Sequence, residues 1–83
     1  MDTSKPLKVK FKLENQVLEE LIANNWTIGK IKGKIRKIFK INSYYNLEFL
    51  YNGQILENSK QFREINYKSD TIIKVMASRA SEL

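Results

Sequence analysis

Leu7, Val9, Phe11 and Leu13 alternate with Lys8, Lys10 and Lys12. A period of two puts the apolar set on one face of a strand and the lysines on the other, so residues 7–13 are predicted to form a half-buried strand with a basic outer face. Glu14-Asn15-Gln16 is a predicted turn, and Val17 to Ile22 returns as the second strand of a hairpin. The facing of that strand stays open: Glu19 and Glu20 are adjacent, so one of them points inward or lies at an edge. Ala23-Asn24-Asn25-Trp26 is a connection. The period then changes. After Thr27, a favourable N-cap, the isoleucines 28, 31, 35 and 38 recur at the spacing of an amphipathic helix. Lys30, Lys32, Lys34, Arg36, Lys37 and Lys40 cover its other faces with no acid among them. Gly29 and Gly33 each weaken such a helix by about 1 kcal/mol relative to Ala. Lys32, Arg36 and Lys40 also repel one another at i, i+4. The helix therefore depends on packing its isoleucine stripe against a sheet.

Residues 42–46 are expected to be a loop and Leu47–Tyr51 a third strand, turned tightly by Asn52-Gly53. Ile55-Leu56 is a short strand return. Residues 57–70 are polar, with Phe62, Ile65 and Tyr67 as isolated apolar anchors, and Thr71–Met76 is a last strand. Residues 1–6 are expected to be a flexible leader, 7–77 the domain and 78–83 a flexible tail. Hairpin, helix, strand, short strand and final strand make an α+β domain of two layers, a small mixed sheet packed on one helix.

Composition narrows the chemistry. The 83-residue chain is 42% hydrophobic, enough to fill one small core. It has no Cys and no His, so disulfides, thiolate metal sites and Ser-His or Cys-His nucleophile systems are unavailable. No cofactor and no metal are expected, and a non-enzyme is predicted. A formal net charge of +6, from 15 Lys and Arg against 9 Asp and Glu, points to acidic partners, anionic surfaces or nucleic acid. No apolar run approaches the roughly 20 residues of a membrane span, and Met1 to Pro6 is too polar for a signal peptide. A cytoplasmic or nuclear protein, monomeric as an isolated domain, is the expectation.

Four stretches together resemble the ubiquitin family. Thr27-Ile28 followed by Ile31-Lys32-Gly33-Lys34-Ile35 is similar to the start of the family's helix. Leu50-Tyr51-Asn52-Gly53-Gln54-Ile55-Leu56-Glu57-Asn58 resembles its strand, glycine turn and Leu-Glu segment. Phe62 to Tyr67 resembles its short helical turn and buried loop, and Thr71 to Met76 its last strand. The resemblance covers about residues 7–80 and implies a ubiquitin-like β-grasp. It departs at the end: Ser81 and Glu82 stand where the modifiers of the family carry their conjugated diglycine. A non-conjugating domain used for non-covalent recognition is the expectation.

The family's recognition patch has an aliphatic residue at each of two places on neighbouring strands, which Leu50 and Met76 match, with Lys74 beside them. Period-two alternation turns Leu50 outward from Leu47, Phe49 and Tyr51. It sets Ile72, Lys74 and Met76 opposite to Ile73 and Val75. Leu50, Lys74, Met76 and Ile72 are thus the candidate protein-binding residues, for a partner of the ubiquitin system such as a proteasome, segregase, ligase or deubiquitinase. The turn at Glu14-Asn15-Gln16 lacks the family's third aliphatic, so a smaller, more polar patch is expected. A second reading gives RNA or DNA to the basic helix through Lys30, Lys32, Lys34, Arg36, Lys37 and Lys40, although no aromatic ladder is interleaved with them. A third, a Ras-type GTPase-binding domain of the same superfold, would use Lys8, Lys10 and Lys12. Trp26 is read as a staple against the fold rather than a contact residue. Of Tyr44 and Tyr45, one ring is expected to pack on the helix end and the other to be solvated.

Overall fold

The computed structural model describes residues 6–79. The remainder of the expected leader and tail, residues 1–5 and 80–83, lies outside them. Alternation in Leu7–Leu13 builds β1, and Gln16–Ile22 returns antiparallel as β2. Between them Glu14 carries a φ of 55°, the left-handed value that reverses the chain. Helix α1 spans Ile28–Ile38, and β3 and β4 are Tyr45–Tyr51 and Gln54–Ile55. Their turn places Asn52 and Gly53 at φ 52° and 77°, the pair of positive values of a type I′ hairpin turn. A short 3₁₀ turn covers Phe62–Ile65, and β5 is Ile72–Arg79.

The five strands lie in the order β2-β1-β5-β3-β4. The last strand is therefore the middle one, parallel to β1 and antiparallel to β3. The buried set follows alternation at Val9 and Phe11, Leu47, Phe49 and Tyr51, and Ile73 and Val75, packed with Ile28, Ile31 and Ile35 of α1 and with Ile22, Leu56 and Phe62. Of the expected apolar face of β1, Leu7 at the strand's end instead stays 44% exposed and Leu13 is half-buried. Phe11 and Phe49 meet at the centre with ring centroids 5.5 Å apart. Trp26 and Ile38 are half-buried against this core.

The first turn of α1 is stitched to the segment before the 3₁₀ turn. The amides of Ile28 and Gly29 donate to the carbonyls of Lys60 and Asn58, at 2.8 and 3.1 Å. The Lys30 amide donates to Thr27 Oγ1 at 3.2 Å, so Thr27 is the N-cap its type predicts. The far end closes in a Schellman arrangement: Ile41 N–H donates to the Arg36 carbonyl and Lys40 N–H to that of Lys37, with Lys40 at φ 58°. Lys40 is thus the helix stop and not part of its basic face.

β3 and β5 each extend beyond expectation. β3 begins at Tyr45 rather than Leu47, and β5 runs to Arg79 rather than Met76, because Tyr45 pairs with Arg79 and Asn46 with Ser78. Neither Tyr44 nor Tyr45 packs on the helix end. Both are exposed, their rings set edge-on at 6.0 Å, with the Arg79 guanidinium 5.2 Å over Tyr44. Tyr67, expected only as an apolar anchor, also acts through its hydroxyl. It accepts from the Lys10 amide at 3.2 Å and donates to the Thr71 carbonyl at 2.6 Å, tying the loop before β5 to β1.

Candidate recognition surface

The face of the sheet away from α1 carries the residues that alternation turns outward. Leu50 of β3 lies directly opposite Lys74 of β5 on one side and Ile55 of β4 on the other. Met76 follows two residues along β5, opposite Glu48. Lys74 is in turn in register with Lys12 of β1, and Lys12 with Val17 of β2. One row thus crosses the whole sheet: Val17, Lys12, Lys74, Leu50, Ile55. Leu50 and Met76 are half-buried, Lys12 and Lys74 exposed, and Ile55 and Val17 keep 51% and 47% of their surface in solvent.

Leu50, Lys74 and Met76 are therefore brought together, as expected. Ile72 shares the face but sits next to Lys10 of β1, at its other margin. Ile55 was missed as a surface residue. The signal was present in the Asn52-Gly53 dipeptide: a two-residue hairpin fixes register, and counting back across it pairs Ile55 with outward Leu50. With Ile55 the apolar area extends toward β4, on the side away from the turn that lacks an aliphatic residue. Lys12 and Lys74 are like charges in register, an unfavourable pairing on a sheet face. Neither has an ion-pair partner among the described residues. Lys10, by contrast, lies opposite Glu19 and 3.8 Å from Asp70. The basic strip of β1 is thus partly neutralised at its middle position.

The cations of α1 divide into two flanks. Lys32 reaches Glu48 of β3 at 3.4 Å, and Arg36 donates to the Asn42 carbonyl at 2.7 Å. On the other flank, Lys30 and Lys34 lie 4.8 and 5.3 Å from the Trp26 ring centroid. Lys34 also contacts Glu20 at 3.8 Å and donates to the Leu21 carbonyl at 3.2 Å. Lys37 is exposed on the outward side. The six cations consequently form no single continuous face. Among the described residues no cluster of acidic side chains is placed to hold a metal, and no helix is long and apolar enough to cross a membrane.

Solved structures share this architecture at low identity. The N-terminal ubiquitin-like domain of the 4931431F19Rik protein superposes with a TM-score of 0.81 at 20% identity, covering 98% of this chain and 83% of that one. The ubiquitin-like domain of Plasmodium falciparum Dsk2 gives 0.77 at 15% identity, over 88% and 99%. A structure described as molecular mimicry of SUMO that promotes DNA repair gives 0.76 at 14%, over 87% and 91%. No curated protein matches the sequence. The sequence profile of the ubiquitin family matches residues 7–80, nearly the whole β-grasp just described, and the chain belongs to that family.

Proposed function

We propose that this domain is a non-catalytic recognition module that docks a protein of the ubiquitin system through the outer face of its sheet. The observation that carries this reading is the row Lys12, Lys74, Leu50, Ile55, with Met76 beside it. Adjacent, partly solvent-accessible aliphatics on a rigid sheet are what a docking partner can desolvate, and the Met thioether adapts to varied partner shapes. The partner that fits brings an apolar side chain to Leu50 and Ile55 and a carboxylate to the uncompensated Lys12 and Lys74. Nucleic-acid binding by α1 ranks second, because its cations are split between two flanks and several are already engaged within the domain.

The test compares wild type with a Leu50→Ala/Met76→Ala double variant in pull-downs from cell lysate, with and without nuclease, captured proteins being identified by mass spectrometry. Nuclease-resistant capture of a ubiquitin-system protein, reduced at least about tenfold by the double variant, supports the patch. Equal capture by both forms, or capture that nuclease abolishes, overturns it.

A further inference from the structure

The opposite side of the molecule carries a second, differently built concavity. Trp26, Gly33 and Ile38 line a groove of about 460 Å³ on the solvent side of α1, rimmed by Lys30, Lys34 and Lys37. Each part has a local cause. Trp26 precedes the N-cap and lies half-buried against the core, leaving part of its ring at the surface. Gly33 projects nothing, and a Cβ built there meets no atom within 4 Å, so its missing side chain opens the floor. Ile38 closes the far end as the half-buried last residue of the isoleucine stripe. The three lysines follow from the helix period, at i, i+4 and i+7.

Charge decides the occupant. Three ammonium groups surround an apolar floor, and Glu20, beside Lys34, is the one acid in ion-pair contact with that rim among the described residues. Sites of this composition orient a ligand by charge and hold it by apolar burial. We propose that this groove binds an acidic peptide segment of a partner protein, one large apolar side chain seated over Gly33 between Trp26 and Ile38 and flanking carboxylates meeting Lys30, Lys34 and Lys37. A single-stranded nucleic acid fits less well: Lys30 and Lys34 already lie near the Trp26 ring where a base would stack, and Lys32 and Arg36 point to the other flank.

Trp26 is the chain's single tryptophan, so its emission reports on this groove alone. The experiment selects peptides from a displayed random 12-residue library on the 83-residue chain, then titrates the most enriched synthetic peptide while following that emission. Enrichment of Asp and Glu around one large apolar residue is expected, with a saturable emission change. Gly33→Leu fills the floor at an open helical position and favours the helix, and circular dichroism confirms its fold. It is expected to weaken binding at least about tenfold, as is Lys30→Glu/Lys37→Glu, while Leu50→Ala leaves it unchanged. Failure to select peptides, selection without acidic enrichment, or an affinity unaltered by Gly33→Leu overturns the proposal. So does a 12-mer oligouridylate that changes Trp26 emission and displaces the peptide, an outcome that assigns the groove to nucleic acid.

Discussion

Glu20 resolves the ambiguity of β2. It is the acid that points to the helix side, and it is tolerated there because β2 is an edge strand: its carboxylate stays half-exposed, 3.8 Å from the Lys34 ammonium. Glu19 takes the outer face, opposite Lys10. Facing governs the apolar residues equally strictly. Ile31 and Leu50 are similar in size, yet Ile31 is fully enclosed by the core and Leu50 is only partly buried. Ile31→Ala removes buried methyl groups and leaves a cavity, at an expected cost of about 2–5 kcal/mol, a large share of the stability of so small a domain. Leu50→Ala is expected to cost less than about half the Ile31→Ala value by the same burial argument. Urea denaturation of both variants measures the contrast. Comparable losses would mean that Leu50 is a core residue and not a surface contact.

At the scale of the element, α1 combines weak intrinsic propensity with well-made ends. Glycines at 29 and 33 and a run of like charges oppose it. Against them stand the Thr27 cap, the N–H hydrogen bonds that Ile28 and Gly29 donate to the carbonyls of Lys60 and Asn58, and the completed Schellman stop. That stop contains a misfit, since Lys40 adopts a left-handed conformation at φ 58° that glycine reaches without steric cost. Lys40→Gly is expected to stabilise the domain by about 1 kcal/mol, and Thr27→Ala to destabilise it by about the same amount. Thermal unfolding monitored by circular dichroism separates the two in sign. A destabilised Lys40→Gly protein would show that the Lys40 side chain does more for the domain than its backbone costs.

For the whole molecule, the decisive feature is the place of β5. It is last in the sequence yet central in the sheet, paired to both β1 and β3. Two buried core residues, Ile73 and Val75, come from it, and its loss would leave strand edges open on both sides. A chain ending at Asp70 is therefore expected not to fold, giving far-UV circular dichroism and amide NMR dispersion of an unfolded polypeptide. A cooperative unfolding transition in that truncated chain would contradict the topology. The same architecture sets the two proposed surfaces apart: the sheet face and the Trp26 groove lie on opposite sides of one core.

Much of the domain was legible from residue order. Local periodicity marks β1, α1, β3 and β5 because a strand or helix must put its apolar residues on one face. The Asn-Gly hairpin and the Thr cap are written in residues whose backbone preferences act over only a few positions. Even the outward facing of Leu50, Lys74 and Met76 follows from alternation. Pairing between distant segments was beyond local pattern. The extra residues of β3 and β5 exist only because Tyr45 finds Arg79, and polar sequences such as Tyr-Asn and Ala-Ser-Arg announce no strand by themselves. The meeting of Lys12 with Lys74, the division of the helix cations between two flanks, and the groove formed by Trp26, Gly33 and Ile38 belong to tertiary structure. Each depends on where a side chain ends relative to another element, and one-dimensional spacing does not encode that distance.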